Sequence, residues 1–231
     1  MREVATVDLG RAVVAIDGPA GAGKSTLSRL LARRLGIRYL DTGAMYRALA
    51  LRASRSGVDT ADEATLAELM DGLTIAFGAG DPQPVLLDGE DVSASVRTPE
   101  IGEAASAVSQ HPEVRRRMVG LQQRLVAGGG VVLEGRDATT VIAPDATLKV
   151  YLTASLEERA RRRAVDFAAA GAETEFDDVR TQIENRDHRD ITRGDSPLRV
   201  AEGALVLESG GHTPEELAEQ IEALLSERLS Q

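Results

Sequence analysis

The sequence predicts an α/β protein, a doubly wound parallel sheet of five strands with a small antiparallel insert. Three observations predict it. Short apolar segments alternate with amphipathic helical patterns, as parallel strands joined by crossover helices require. A glycine-rich loop, Gly18-Pro19-Ala20-Gly21-Ala22-Gly23-Lys24-Ser25, stands between the first apolar segment and the first helical pattern. Short runs with hairpin turn signals then break the alternation between the second and third core segments.

The core strands are expected at Ala12–Asp17, Arg38–Asp41, Val131–Glu134, Thr147–Thr153 and Ala204–Glu208. The helices between and after them are expected at Ser25–Leu35, Ala44–Ser56, Pro112–Ala127, Leu156–Ala170 and Pro214–Leu229. Residues 64 to about 100 carry Leu73–Phe77, Val85–Leu87 and Glu90–Ser93, separated by Gly78-Ala79-Gly80-Asp81-Pro82 and Asp88-Gly89. Those turns suit an inserted antiparallel sheet. Residues 184–199 are polar, rich in arginine and poor in apolar anchors. They read as a disordered linker or a mobile loop, and their place before the last strand favours a loop over a site.

At 231 residues the chain suits one domain with a subdomain inside it, long enough to bury a sizeable core. No cysteine is present, which excludes disulfides and thiolate metal sites. His111, His188 and His212 are too far apart to suggest zinc. Arg2, Glu3, Asp8 and Arg11 interrupt the first residues, no apolar run reaches membrane length, and a cytoplasmic location is expected. The net charge of −10 argues against a nucleic-acid surface. Only Lys24 and Lys149 are lysines, and the other 25 basic residues are arginines. A GC-rich genome accounts for most of that skew. The placement of the arginines matters more, because an acidic protein that handles anions must concentrate positive charge locally, and arginine's fork suits phosphate.

Ligands of a doubly wound sheet bind beyond the carboxyl ends of its strands. Four motifs follow strands directly and are expected on that rim: Gly18–Ser25, Asp41-Thr42-Gly43, Glu134-Gly135-Arg136-Asp137 and Thr153-Ala154-Ser155. The first matches G-x-x-x-x-G-K-[ST], a loop whose backbone N–H groups and helix N-terminus cradle a polyphosphate. Lys24 would reach the β- and γ-phosphates, and the Ser25 hydroxyl would ligate Mg²⁺. Thr42 is expected to cap the following helix, with Arg47 one turn in and aimed back at the rim. Glu134 ends an apolar strand, the expected place for a Mg²⁺-associated carboxylate acting directly or through water, and Arg136 would face a phosphate. Arg186-Asp187-His188-Arg189-Asp190-Ile191-Thr192-Arg193 suits a closing, charge-stabilising loop, to which Arg159, Arg162 and Arg163 could add.

These motifs together, G-P-A-G-A-G-K-S, D-T-G-A-M-Y-R, Ala104-Ala105-Ser106, E-G-R-D and R-D-x-R-D-x-x-R, resemble bacterial cytidylate kinases, nucleoside monophosphate kinases of the P-loop class. The resemblance runs from about Val13 to Leu224, in the family's order and spacing. It implies a P-loop kinase core at residues 1–63 and 101–231, a monophosphate-binding insert at about 64–100 and a short lid at about 157–195. It further implies that ATP·Mg²⁺ donates its γ-phosphoryl to CMP or dCMP in pyrimidine metabolism. Carried over by position, Gly18 through Thr26, with Pro19, Ala20, Gly21, Ala22, Gly23, Lys24 and Ser25 between them, would bind ATP. Arg47, Arg136 and Arg193 would bind the acceptor phosphate, with Thr42 near that nucleotide. Ser106, Arg115 and Asp137 would recognise cytosine, Arg186 and Asp190 would hold the sugar, and Arg189 would reach the transferring phosphate. The resemblance thus implies that Lys24, Arg136, Arg189 and Arg193 are catalytic. An acid facing the cytosine amino group, with serine or arginine at N3 and O2, would reject uracil by leaving buried groups unpaired.

The chain departs from the family after G-R-D. The family commonly has x-G-T-V-V there, whereas this chain has Ala138-Thr139-Thr140-Val141-Ile142, which puts the turn beside Asp137 in question. Two rival readings remain: a P-loop kinase for another monophosphate or a small metabolite such as shikimate, and a GTPase-type switch. The switch lacks the N-K-x-D motif that reads guanine. No general base is required, since the attacking phosphate oxygen is already anionic. Partners are expected to be nucleotides only, with no nucleic acid or membrane, and nothing in the sequence demands more than a monomer.

Overall fold

The computed structural model describes residues 9–80, 82–169, 171 and 174–230. Strand β1 (Val13–Asp17) leads through the glycine loop to helix α1 (Lys24–Leu35), then β2 (Arg38–Asp41) and α2 (Thr42–Arg55). A short helix α3 (Glu63–Glu68) precedes three short strands, β3 (Ile75–Phe77), β4 (Val85–Leu87) and β5 (Glu90–Asp91). Helices α4 (Pro99–Val108) and α5 (Pro112–Val126) follow, then β6 (Val131–Gly135) and a π-helical turn, Ala138–Ile142. The chain ends with β7 (Leu148–Thr153), α6 (Leu156–Ala169), α7 (Phe176–Thr192), β8 (Leu205–Glu208) and α8 (Pro214–Leu229).

The five core strands form one parallel sheet in the order β2-β6-β1-β7-β8. β1 lies between β6 and β7, with Val14 beside both Val132 and Leu148. A parallel strand covered on both faces must be apolar throughout, and Val14, Ala15 and Ile16 are fully buried. One core cluster joins Val14, Ile16, Val132, Val150 and Leu152 of the sheet to Leu27 and Leu31 of α1 and Ile221 and Leu225 of α8. The strand order reverses at β1, so its carboxyl end opens onto the crevice such sheets use for ligands. Gly18 makes the exit possible. Its φ is +154°, and a Cβ there would lie 1.9 Å from the Leu152 carbonyl oxygen on β7.

The chain divides into two compact units, Met1–Tyr39 with Val126–Gln231, and Leu40–Leu125. In the first unit α6 and α7 pack through Ala160, Phe167, Val179 and Ile183. In the second, α2 packs on α4. The second unit also carries the antiparallel sheet β3-β4-β5, whose Asp88-Gly89 turn has φ of +51° and +87°. Two successive positive φ values are what a tight hairpin turn requires, and Asp88 steadies its own by accepting from Thr74 N at 2.9 Å.

The structure corrects several local expectations. The polar stretch 184–199 is a loop only beyond Thr192, because α7 runs to that residue. Its inner face is Val179, Ile183, Asp187 and Asp190, so carboxylates occupy helical positions where a hydrophobic stripe is normally sought. Helices α3, α4 and α7 have no counterpart among the expected helices; α3 and α4 are capped by Asp62 and Thr98, each of whose side chains accepts a backbone N–H of the first turn. Thr42 does not cap α2. Asp41 does, accepting from Ala44 N at 2.8 Å, and Thr42 is the first helical residue. Asp81 of the hairpin signal, Ala170 of the α6 expectation, and Arg2, Glu3 and Asp8 lie outside the described residues.

Candidate active site

The glycine loop meets α1 with its backbone donors uncommitted to any cap. Gly23 is the N-cap residue in a left-handed conformation, no side chain caps the helix, and no acid occupies the first turn. By contrast, α8 begins with a Thr213/Glu216 capping box and two first-turn acids. An uncapped N-terminus presents a positive dipole end and spare N–H groups, the requirement for an anion site. Ser25 and Thr26 are exposed on that first turn. Lys24 is buried and donates from Nζ to the Pro19 carbonyl at 2.8 Å. Burial, with Arg136 and Arg186 nearby, pushes its pKa down to about 7 against the opposing pull of Glu134 and Asp17.

The loop is held from behind by α6 and α7. Arg159 donates to the Ala154 and Ala20 carbonyls, both at 3.0 Å, and pairs with Asp187. Asp187 in turn accepts from Ala20 N at 3.1 Å, so both polar groups of Ala20 are gripped. Arg162 donates to Ser209 Oγ and O, both at 2.9 Å, and Ser209 Oγ donates to the Ala22 carbonyl at 2.9 Å. Arg159 and Arg162 therefore brace the loop, while Arg163 lies over the Phe167 ring at 4.6 Å. Asp187 and Ser209 were not singled out from the sequence. The four-residue step from Ile183 to Asp187 was the available signal for the former.

The strand-end and α7 charges of the same unit come together. Arg136 donates from Nε to Asp190 at 2.8 Å, and Arg193 Nη1 lies 3.6 Å from the other carboxylate oxygen. Arg193 Nε also donates to the Ser196 carbonyl at 2.8 Å. Burial works against the Asp190 charge, but Arg136, Arg186 and Arg193 outweigh it and hold its carboxyl below the usual range. Burial likewise opposes the Arg136 charge, and Asp190, Asp187 and Glu134 more than offset it. Glu134 accepts from the Tyr39 hydroxyl at 2.5 Å. Asp137 is buried at the start of the π-helical turn, and Arg186 and Arg189 are half-buried on α7.

The second unit holds the other expected residues in two groups. Arg47 reaches back to Asp41, six residues earlier and 2.6 Å away, and Thr42, next to Asp41 in sequence, is buried. Ser106 and Arg115 are both buried, linked through Ser109. The Ser109 hydroxyl donates to the Ser106 carbonyl at 2.9 Å, and Arg115 Nη1 donates to the Ser109 carbonyl at 3.2 Å. The Arg115 guanidinium lies 5.8 Å from the centre of the Tyr46 ring. The Ser106 hydroxyl has no hydrogen-bond partner among the described residues.

Comparison with known proteins settles the family. The cytidylate kinase family profile matches residues 14–227, which include every group described above. The chain belongs to the cytidylate kinase family. A curated cytidylate kinase from Citrifermentans bemidjiense is 47% identical over 220 residues, covering 95% of this chain and 94% of its own. One from Mycobacterium leprae is 47% identical over 217 residues, covering 94% and 96%. A crystal structure of an uncharacterized protein from Eubacterium ventriosum superposes with a TM-score of 0.53 at 11% identity, covering 93% of this chain and 98% of that one. That likeness speaks to the fold alone. As a cytidylate kinase family member the chain is a P-loop phosphotransferase of the nucleoside monophosphate kinase kind. No helix among its described residues is long and apolar enough to cross a membrane.

Proposed function

We propose that this chain transfers the γ-phosphoryl group of ATP to CMP or dCMP, giving ADP and CDP or dCDP, as a cytoplasmic monomer. The observation that carries the choice of acceptor is Ser106. A buried hydroxyl without a partner costs about 1–3 kcal/mol, a cost retained where a ligand supplies the missing bond. With Arg115 fixed beside it through Ser109, it offers hydrogen bonds suited to the N3 and O2 acceptors of cytosine. Asp137 supplies an acceptor for the amino group. Uracil, with N3–H and O4 there, would leave these groups mispaired.

Arg47, Arg136 and Arg193 are the proposed ligands of the acceptor phosphate, with Thr42 near that nucleotide and Arg186 and Asp190 on the sugar. Residues 157–195, which include most of α6 and all of α7, act as the lid and bring Arg189 to the transferring phosphate. Residues 64–100 serve as the monophosphate-binding insert to the core at 1–63 and 101–231. Gly18 through Thr26 line the ATP phosphates, which the loop's N–H groups other than those of Pro19 and Ala20 hold, and Lys24 neutralises the β- and γ-oxygens.

Among the described residues no three His, Cys, Asp or Glu side chains converge as a metal cluster. That suits nucleotide-borne Mg²⁺, which keeps several waters and takes few protein ligands beyond the phosphates. Ser25, exposed on the first turn of α1, and Glu134, through water, fit that sparse donor set. When bound, the ion neutralises charge developing on the phosphate oxygens. The acceptor phosphate oxygen attacks the γ-phosphorus, and the bond to the β,γ-bridging oxygen breaks with its electrons leaving on ADP. No proton need move first, because the nucleophile is anionic. Lys24 and the arginines lower the repulsion between two polyanions and keep them in line.

A coupled ADP-release assay with CMP, dCMP, UMP, AMP and shikimate in parallel tests this reading. Turnover is expected with CMP and dCMP. Inactivity with both, alongside turnover of another acceptor, would sink it in favour of a P-loop kinase for a different substrate.

The loop brace makes a separate prediction. Asp187→Asn keeps an oxygen for Ala20 N but removes the charge facing Arg159. KM for ATP is expected to rise roughly fivefold, the loss of about 1 kcal/mol from one charge-assisted bond, with KM for CMP within about twofold. Steady-state titration of each nucleotide checks it, and an equal rise in both constants would count against a role confined to the donor loop.

A further inference from the structure

Asp17 closes β1 with its side chain fully buried, so the carboxylate must find its hydrogen-bond donors inside the fold. It finds three. Ala138 N and Thr139 N both donate at 2.8 Å, and the Thr139 hydroxyl donates at 2.5 Å. All three belong to the π-helical turn Ala138–Ile142, which begins directly after Asp137 and takes no capping bond from the Asp137 side chain. Asp17 therefore caps that turn from a different strand. The turn in turn sets Asp137, whose carbonyl accepts from Thr140 N, Val141 N and Ile142 N.

We propose that Thr139 is a positioning residue for acceptor recognition. Its hydroxyl anchors the Asp17 carboxylate, and the turn they share places Asp137 against the base. The proposal rests on the reading that Asp137 takes the cytosine amino group. Glycine at this position would offer the N–H without the hydroxyl. Nothing nearby substitutes for it, because the adjacent Thr140 hydroxyl has no hydrogen-bond partner among the described residues.

The electrostatics agree with the geometry. Burial pushes the Asp17 pKa up to about 6, the Thr139 hydroxyl opposes that rise most, and the neighbouring Asp137 charge adds to it. Lys24 on α1 and Tyr151 on β7 also feel the Asp17 charge. Without the hydroxyl, Asp17 keeps only backbone donors beside a like charge. Its hold on the turn loosens on the side that carries Asp137, while Gly18 remains fixed against Leu152 by close contact.

The test compares Thr139→Val, Thr139→Ala, Thr139→Ser and Asp137→Ala for KM and kcat with CMP, UMP and ATP, together with melting temperature. Losing one buried bond to a charged acceptor is expected to raise KM for CMP about tenfold in the Val and Ala variants. CMP-over-UMP preference should fall by a similar factor and KM for ATP should stay within about twofold. Thr139→Ser should restore KM for CMP to within about threefold. The Ala variant answers the same question if the valine does not fit the turn. An unchanged KM for CMP without the hydroxyl overturns the proposal. So does an equal loss for ATP and CMP that tracks melting temperature and is not rescued by serine. A CMP preference that survives Asp137→Ala refutes the base reading itself, and the Thr139 proposal falls with it. A preference lost in Asp137→Ala but kept in Thr139→Val refutes the Thr139 proposal alone.

Discussion

Replacing Lys24 with methionine is expected to lower kcat by a factor on the order of 10³ while leaving the protein folded. Methionine fills similar volume, so the loss is of charge and not of packing. The lysine makes one hydrogen bond, to the Pro19 carbonyl, and its amine is held in a place where burial pushes its pKa down to about 7. A group whose charge the fold opposes contributes little to stability before its ligand arrives. The melting temperature of Lys24→Met should therefore match or slightly exceed that of the parent. When the β- and γ-phosphates enter, their negative charge restores the cationic form, and that is where its energy is spent. Single-turnover rates with ATP and CMP, read beside a thermal melt, check both halves. Undiminished transfer in this variant would remove the glycine loop from the mechanism.

Asp190→Ala should be the most destabilising substitution in the first unit's charge cluster. Its carboxylate is the acid paired with both Arg136 and Arg193, and side-chain exposures of 18%, 5% and 4% leave little water to replace it. Removing one partner from buried ion pairs leaves guanidinium charge uncompensated, a loss of about 3 kcal/mol or more. For a chain of this length that is a melting-temperature fall on the order of 10 °C. The same repulsion makes the variant unusually responsive to anions. Inorganic phosphate should raise its melting temperature more than that of the parent, by occupying the space between the two arginines. A variant melting within about 2 °C of the parent, or indifferent to phosphate, would show that Asp190 does not hold the pair together. Asp190→Asn should fall between, since it keeps the shape and loses the charge.

How much of this was legible from the sequence depended on how local the cause was. The five strands and the helices at Ser25, Ala44, Pro112, Leu156 and Pro214 follow from apolar periodicity, and the structure keeps each of them within a few residues. The glycine loop was readable for the same reason, being a strand, a turn and a helix start in unbroken order. Two adjacent capping residues, Asp41 and Thr42, defeated local reasoning because either suits the N-cap. The choice went to Asp41, which also pairs with Arg47. Helix α7 has no counterpart in the sequence expectation, because two of its four inward positions are Asp187 and Asp190, whose partners lie on other elements.

Charge showed the same division. An arginine near a glycine loop looks like a phosphate ligand in sequence, and Arg159 looked like one. In the fold its guanidinium is spent on Asp187 and two backbone carbonyls, and it shapes the loop. By itself the sequence determined the sheet, the glycine loop and the arginines and acids proposed for the phosphoryl-transfer site. Only the tertiary structure decided which charges are paired and which group anchors which turn. The physical reason is range: backbone geometry and helix starts are set by neighbours a few residues apart. The carboxylate of Asp17 finds Thr139 across 122 residues and that of Asp187 finds Ala20 across 167, and no local pattern records such a pairing.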